Sequence, residues 1–366
     1  MNILFISHLS GRTSAGPCWS VPARIKAQTS YDNVYWMNWG SAKLTHWIET
    51  GVFHKSSMIE KKSLKCFPPP FNKPDFVVFE GFYSVDSARF AKELRSNRIP
   101  YIITPRGSLT KQARHNGSEW KKRVAHWLFF DSFVKNATSI QFLTKQENDD
   151  SISQCPNSFI LPNGYLLPEK YKSDFSSNGI KVVFIGRIDI YHKGLDLLID
   201  ASVQIIDDLR KANVKFDIYG PYNEDASKLE KIIVEKKLKD LFVLKGEVTG
   251  EKKENVLLDA DVFILTSRFE GHPMGLMEAL AYGLPVLVTE GANMKEEIQK
   301  ADAGWGCNTS RESIKECLLK MISDQRRFSE KSKNARDLSK QYDWHLLAER
   351  FHLQLQALKE AGNNRL

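Results

Sequence analysis

The sequence is poor in cysteine, and its cysteines follow no pattern that would bind metal or form a disulfide framework. The five, Cys18, Cys66, Cys155, Cys307 and Cys317, are scattered, and they include no C-x-x-C pair. An odd number of isolated cysteines argues against both a zinc cluster and a set of disulfides, and it suits a reducing cytosol.

Long apolar runs are also missing. No stretch approaches the ~20 residues needed to cross a bilayer. The first residues, MNILFISHLSG, lack a basic leader and a small-residue cleavage site, so we expect them to form a strand in a cytoplasmic protein. No G-x-G-x-x-G motif follows a strand, which argues against a dehydrogenase.

What the chain does have is an uneven distribution of charge over 366 residues, a length that favours two domains. Residues 1–164 hold 21 Lys and Arg against 12 Asp and Glu, whereas residues 165–366 hold 31 against 32. The basic half is expected to meet an anionic partner, such as a phosphorylated acceptor or a lipid surface. Nucleic acid is not expected, because no helix-turn-helix, RNA-binding or zinc motif is present.

Short apolar runs alternate with helical patterns along the whole chain. A first series is NILFIS, DFVVFEG, YIITPRG and SIQFLT; a second is IKVVFIG, KFDIYGP, LFVLKG, DVFILTS and LPVLVTEG. This alternation predicts an α/β protein with two doubly wound, Rossmann-like domains facing across a cleft. We place the first domain at residues 1–164, with a terminal helix at 344–366 packing back on it, and the second at 165–343. Ligands of such sheets bind beyond the carboxyl ends of the strands.

Two glutamates flank a broken turn in the second domain. Glu270 lies in the loop after the strand DVFILTS, and Glu278 lies about one turn inside the next helix, MGLMEALAY. Pro273 suits the first helical position. The helix start is a candidate anion site, formed by the amide groups of Met274, Gly275 and Leu276.

A carboxylate on each side of a phosphate site suits a ligand with hydroxyl pairs at both ends of a diphosphate, because an ionised carboxylate accepts two hydroxyl donors at once. A nucleotide sugar has that shape. The alternative is that Glu270 is a solvated loop residue and Glu278 a helix-surface residue.

The run FEGHPMGLMEALAYGLPVLVT resembles the E-x7-E signature of retaining glycosyltransferases of family 4, which have the GT-B fold. VVFIGRIDIYHKGLDLLIDA and LPNGY are similar to other motifs of that family, so the resemblance covers about residues 160–300. It implies a retaining sugar transfer, with Glu270 as a catalytic residue in contact with the donor sugar, Glu278 on the ribose, and His272 among the donor-binding residues. Family members often build bacterial surface polysaccharides on a lipid-diphosphate carrier.

Two cations stand near the predicted anion site. Arg187 follows the strand VVFIG, and Lys193 precedes the next helix. Fixed cations can stabilise the charge that grows on a departing diphosphate, so we expect a catalytic role for both. Two ordinary surface cations are the alternative. Pro221 and Val248, in the loops after two further strands, are expected to contact the base.

A metal is not expected. The D-x-D pair Asp259-Ala-Asp261 lies where a helix ends and a strand begins, at the wrong end of that strand for the ligand. We therefore expect no essential metal and no cofactor, with a nucleotide sugar as substrate.

The first domain offers weaker signals. Gly16 lies in a loop that is able to approach a diphosphate, and Arg12, Arg106 and His115 are candidates for the acceptor side. Residues 118–137 mix basic and aromatic side chains, which suits either an ordinary domain helix or a helix lying on an anionic membrane at the inner face of the cell.

The hypothesis is a glycosyltransferase that moves a sugar from a nucleotide sugar to a saccharide or a lipid-diphosphate-linked saccharide, in the synthesis of a surface glycan. Two alternatives stay open at this point. A nucleotide-sugar epimerase would convert the donor without an acceptor, and a catalytically silent protein would bind the donor without turnover.

Overall fold

The computed structural model describes residues 1–12, 16–55, 62–109, 130–151, 155, 157–175 and 178–363. The chain divides into two compact units. The first comprises Met1–Gly164 and Trp344–Leu366, and the second comprises Tyr165–Asp343. Each unit is built on a single parallel sheet.

The strands pair in parallel with their neighbours throughout both sheets. In the first unit they are β1 (Asn2–Ser7), β2 (Asn33–Asn38), β3 (Phe53–Lys55), β4 (Phe76–Glu80), β5 (Tyr101–Thr104), β6 (Ser139–Phe142) and β7 (Ser158–Ile160). In the second they are β8 (Ile180–Ile185), β9 (Val214–Tyr219), β10 (Phe242–Gly246), β11 (Val262–Leu265), β12 (Val286–Thr289) and β13 (Gly304–Cys307).

Helices connect these strands. In the first unit they are Pro17–Gln28, Thr45–Ile48, Val85–Ser96, Asp131–Lys135, Lys145–Asp149 and Trp344–Asn363. In the second they are Leu195–Gln204, Ile206–Lys211, Glu224–Glu235, Gly250–Asp259, Met274–Ala281, Lys295–Lys300, Arg311–Ser323 and Phe328–Lys340. Within the described part of the chain, every helix is too short or too polar to cross a bilayer.

Strand β1 illustrates why the first sheet is apolar on both faces. Its residues alternate between two clusters, with Leu4 and Ile6 in one and Ile3 and Phe5 in the other. The helix Trp344–Asn363 contributes side chains to the second cluster. Helices that cover both faces of a parallel sheet leave its strands without a polar side, which accounts for the continuous apolar runs in the sequence.

The second sheet has the order β10-β9-β8-β11-β12-β13. The chain first builds outward from β8 on one side and then, at β11, continues on the other side. The loops after β8 and β11 therefore leave the sheet side by side. This reversal is the switch point at which doubly wound sheets bind their ligands. The first sheet reverses in the same way between β1 and β4.

A buried ion cluster lies in the first unit at the ends of β4 and β5. Glu80 accepts hydrogen bonds from Arg24 Nη1 at 2.6 Å and from Arg106 Nε at 2.9 Å. The side chains of Arg24, Glu80 and Arg106 are 4%, 0% and 8% exposed. Burial alone would raise the pKa of Glu80, but the Arg106 and Arg24 guanidinium groups outweigh it and hold that pKa below its ordinary value.

This cluster includes Arg106, a candidate for the acceptor side. Arg106 follows β5, as predicted, and its side chain is paired with the buried Glu80. The backbone of Arg106 is left-handed, with φ of 52°, and its side chain folds back into the first unit. Its Nη1 donates to Ser20 Oγ at 3.1 Å and to Asn163 Oδ1 at 3.0 Å. Arg106 therefore holds the loops of the first unit together.

We predict that Glu80→Gln lowers the free energy of unfolding by about 3–5 kcal/mol, because it leaves two buried guanidinium groups without a counter-charge. Urea unfolding with linear extrapolation measures the change. Asp149→Asn is the control: it removes an ion pair with Lys145 whose side chains are 78% and 52% exposed, and it should cost less than about 0.5 kcal/mol. Similar effects for both variants would contradict the structural role of the cluster.

Candidate functional site

The side-by-side loops after β8 and β11 bring two of the predicted catalytic residues into contact. Lys193 Nζ lies 2.5 Å from Glu270 Oε1, and their side chains are 13% and 10% exposed. Glu270 Oε1 also accepts a hydrogen bond from Ser267 Oγ at 2.7 Å. Residues from two distant parts of the sequence thus form one half-buried ion pair at the switch point.

The backbone around Lys193 is tied directly to β11. Thr266 Oγ1 donates to the carbonyl oxygens of Lys193, at 3.0 Å, and Gly194, at 3.1 Å. Gly194 adopts φ of 62°, and a Cβ there would collide with the Thr266 carbonyl oxygen. The K-G pair of the sequence therefore reflects a close approach of two backbones. Glycine is required at that position both by the left-handed φ and by the available space.

His192 links the two loops, although no motif of the sequence pointed to it. Its Nε2 lies 2.7 Å from the Phe269 carbonyl oxygen, and its Nδ1 lies 3.2 Å from Arg187 Nη2. A carbonyl can only accept and a guanidinium can only donate, so the ring is neutral with its proton on Nε2. Burial lowers the pKa of His192, in keeping with that neutral state.

Arg187 stands at the carboxyl end of β8, as expected. Its side chain is about half exposed and pairs with Asp189, with Nη2 3.2 Å from Oδ2. Through His192 it is connected to the loop that carries Glu270. Arg187 is thus held near the Lys193–Glu270 pair while its guanidinium stays accessible to an anion.

A second ion pair joins the same two loops. Arg268 donates to both carboxylate oxygens of Asp196, at 2.7 Å each, and to the Tyr191 carbonyl oxygen at 2.6 Å. Its guanidinium also lies over the Tyr191 ring, 4.2 Å from the centroid. Bidentate contact fixes the orientation of an arginine. Arg268 therefore joins the segments on either side of the site.

The loop that carries Glu270 is also held from its other side. Thr289 Oγ1 donates to the Ser267 carbonyl oxygen at 2.6 Å, and Asn293 Nδ2 donates to the carbonyl oxygens of Glu270 and Gly271. A Cβ at Gly291 would collide with the carbonyl oxygens of Ser267 and Arg268. These contacts set the position of the Glu270 backbone before any ligand arrives.

The helix Met274–Ala281 begins one residue later than expected, with Pro273 as its cap. The Pro273 carbonyl oxygen accepts a hydrogen bond from the Leu276 amide at 3.1 Å, so the expectation that Leu276 offers its amide to an anion is wrong. The amides of Met274 and Gly275 precede this first bond and are the donors left at the helix start. A Cβ at Gly275 would lie 2.9 Å from the Ile185 carbonyl oxygen, so packing against β8 also favours glycine.

Glu278 lies inside this helix and forms an ion pair with Lys253, which belongs to the helix Gly250–Asp259. The Lys253 and Glu278 side chains are 25% and 15% exposed. Lys253 was not selected from the sequence, because nothing in the spacing of the two helices indicates that they meet there.

The other predicted donor residues occupy different settings. His272 is buried beside the Tyr342 ring, with centroids 5.5 Å apart, and burial lowers its pKa to about 3. Pro221 follows β9 and Val248 follows β10, both half-buried at the carboxyl ends of neighbouring strands.

In the first unit, the Gly16 carbonyl oxygen accepts the amides of Trp19 and Ser20, so Gly16 caps the helix Pro17–Gln28. Arg12 is exposed in the preceding loop. His115 and residues 118–129 of the basic aromatic segment lie outside the described residues.

The aspartates of the D-x-D pair have lysine partners. Asp259 pairs with Lys181 at 2.9 Å and Asp261 with Lys172 at 3.4 Å. Asp261 immediately precedes β11, so the pair lies at the amino end of the strand whose carboxyl end carries Glu270. In the parts of the chain described here, no group of three or more His, Cys, Asp or Glu side chains is placed to hold a metal ion.

A parallel sheet that reverses at β8, fixed cations beside it and a helix that begins beside it are typical of doubly wound α/β units that bind phosphate-bearing ligands. The model of the family Glycosyl transferases group 1 matches residues 168–340, nearly all of the second unit.

Several curated relatives match part of the chain. Sulfoquinovosyl transferase SQD2 of Arabidopsis thaliana is 28% identical over 169 residues, 44% of this chain and 30% of that protein. The putative colanic acid biosynthesis glycosyltransferase WcaL of Salmonella typhimurium is 32% identical over 31% of this chain and 29% of that protein. A Campylobacter jejuni N,N'-diacetylbacillosaminyl-diphospho-undecaprenol alpha-1,3-N-acetylgalactosaminyltransferase is 28% identical over 46% and 43%. The chain matches less than half the length of each.

Solved structures match nearly the whole chain. Anabaena Alr3699/HepE, in complex with UDP and glucose, has a TM-score of 0.73 at 15% identity, over 98% of this chain and 100% of that chain. WaaG, a glycosyltransferase involved in lipopolysaccharide biosynthesis, has a TM-score of 0.65 at 14% identity, over 96% and 98%. The predicted two-domain GT-B fold is thereby confirmed.

We predict that Gly291→Ala destabilises the second unit by about 1–3 kcal/mol, because the new methyl group must displace the Ser267–Arg268 backbone. Gly271→Ala in the same loop is the matched control: a Cβ there meets no atom within 4 Å, so the change should be neutral or slightly stabilising. Urea unfolding of both variants decides the matter. Equal free energies of unfolding for the two variants would mean that the loop carrying Glu270 adjusts to the new methyl group without loss of stability.

Proposed function

We propose that the protein is a glycosyltransferase that moves a sugar from a nucleotide-sugar donor to a saccharide or a lipid-linked saccharide acceptor. The observation that carries the proposal is the Lys193–Glu270 ion pair, 2.5 Å long, at the switch point of a glycosyl transferases group 1 unit. Lysine and glutamate meet where a ligand of such a sheet would place its diphosphate and sugar.

The donor diphosphate would lie at the start of the helix Met274–Ala281, close to Lys193 and Arg187. When the sugar leaves, negative charge grows on the diphosphate. Fixed cations at that point stabilise the transition state more than the ground state. The ion pair with Glu270 would hold the Lys193 side chain in place before the donor binds.

Glu270 would accept hydrogen bonds from hydroxyl groups of the donor sugar and hold the sugar in line for transfer. Its carboxylate already shares one oxygen between Lys193 and Ser267. The second oxygen supplies further acceptor sites, because a carboxylate has about four in all. Transfer with retention at the anomeric carbon is part of the proposal, and its support is the E-x7-E resemblance.

The acceptor is proposed to be a growing surface glycan, attached to a lipid diphosphate. The support comes from relatives named for colanic acid synthesis and for transfer to a diphospho-undecaprenol sugar. An anionic carrier also suits the excess of positive charge in residues 1–164. Such a reaction would take place in the cytoplasm, at the inner face of the membrane.

Lys193→Ala should lower kcat about 10²–10³-fold, the usual effect of losing one group that stabilises a developing charge, while the bare nucleoside diphosphate still binds. A thermal-shift screen of nucleotide sugars identifies the donor, since a ligand at 100 times its Kd adds about 2.7 kcal/mol of stability. Turnover and calorimetry then separate kcat from binding. Lys181→Ala is the control, because Lys181 pairs with Asp259 at the opposite end of the strands.

Three outcomes would contradict the proposal. Near-wild-type turnover of Lys193→Ala would mean that the pair is not catalytic. Conversion of the donor into an isomer without acceptor would indicate an epimerase. Donor binding without any turnover, tested with a range of saccharide and lipid-linked acceptors, would indicate a silent binding protein.

Metal independence is a further part of the proposal. Arg187, Lys193 and the helix start would supply the positive charge that a divalent ion supplies elsewhere. We predict that EDTA leaves at least half of the transferase activity, measured as nucleoside diphosphate released in the presence of acceptor. Loss of activity that magnesium or manganese restores would contradict this prediction.

A further inference from the structure

The ion pair between Lys253 and Glu278 joins two helices that follow different strands. Lys253 lies in the first turns of the helix Gly250–Asp259, after β10, and Glu278 lies in the helix Met274–Ala281, after β11. Both side chains are largely covered, at 25% and 15% exposure. The pair therefore occupies a semi-enclosed position next to the helix start of the candidate site.

The charge of Glu278 affects the side chains around it. The Glu278 carboxylate lies close enough to Tyr165 to act on that hydroxyl, whose pKa is raised first by burial and then by Glu278. Tyr282 and Glu254 border the same space. An ionised carboxylate in such surroundings is costly unless a cation accompanies it. Lys253 is a cation in contact with it.

The pairing leaves Glu278 able to bind a ligand. A carboxylate has about four acceptor sites on its two oxygens. Lys253 approaches Oε2, which leaves at least one site on Oε2 and both sites on Oε1. Two neighbouring hydroxyl groups can each donate to one oxygen of the same carboxylate. An uncharged carboxylic acid would lose part of that capacity, since it carries a proton of its own.

We infer that Lys253 is a positioning residue, which holds the Glu278 carboxylate in the orientation that receives the vicinal hydroxyl groups of the donor ribose. The inference rests on the proposed function, because it assigns a nucleoside diphosphate to this site. It adds a residue from the helix after β10 to the donor site.

The test uses the full chain and compares ribose with a sugar that lacks both hydroxyl groups. Calorimetry with ADP, CDP, GDP and UDP selects the nucleoside diphosphate that binds the wild type most tightly. The same measurement is then made with its 2′,3′-dideoxy form. Hydrogen bonds to a charged group are strong enough for the wild type to prefer the ribose form at least about tenfold.

Lys253→Met should reduce that preference to about threefold or less, by weakening the ribose form and leaving the dideoxy form nearly unchanged. Lys253→Arg, which keeps the charge, should retain most of the preference. Lys252→Met is the matched control: it removes an exposed lysine from the same helix and should bind both forms like the wild type. A general loss of folding would weaken the binding of both the ribose form and the dideoxy form. Loss of the positioning role of Lys253 would weaken the binding of the ribose form alone.

An unchanged preference in Lys253→Met, or an equal loss for both forms, would overturn the inference. A wild type that binds both forms equally would overturn it too, together with the ribose role of Glu278, while the binding of a nucleoside diphosphate would stand. A wild type that binds none of the four would overturn the donor proposal itself.

Discussion

The pairing of β8 with β11 is the constraint on which the candidate site depends. These strands are neighbours in the sheet although about 80 residues separate their registered positions, Val182 beside Val262. Parallel pairing sends both loops out at the same edge, so Lys193 and Glu270 meet there. The close backbone contact between Gly194 and Thr266 keeps the loops together. Without this strand order, the residues of the predicted motif would have no common location.

Charge balance is the second feature that organises the site. Lys193 is paired with Glu270, Lys253 with Glu278, and Arg268 with Asp196. Each pair offsets part of the cost of removing charges from water. A side chain held in this way loses little freedom when a ligand arrives, which is how preorganised groups stabilise developing charge. Arg187 differs in being about half exposed, and it is the most accessible of these cations.

Pairing with a carboxylate also explains why two cations at strand ends can have different settings. Arg106 and Arg187 both follow a strand and a short turn, and sequence position treats them alike. Arg106 packs against a buried glutamate in the first unit, so its guanidinium is used in folding. Arg187 pairs with a partially exposed aspartate and contacts a histidine in the second unit. The difference lies in which carboxylate each side chain can reach, and that depends on the packing of distant segments.

By itself the sequence determined the α/β class, most of the buried strands, the start of the helix after Glu270 to within one residue, and the position of the motif residues, because apolar runs, glycines and prolines act locally. The sequence did not predict four strands, β2, β3, β7 and β13. Strands β3 and β7 have only three residues each, and β13 is GWGC, with two glycines. Only the tertiary structure decided the partners. His192, Arg268 and Lys253 acquire their roles from residues more than 20 positions away, with which they share neither helix nor strand. Contacts of that kind depend on strand order and side-chain packing, which no local pattern encodes.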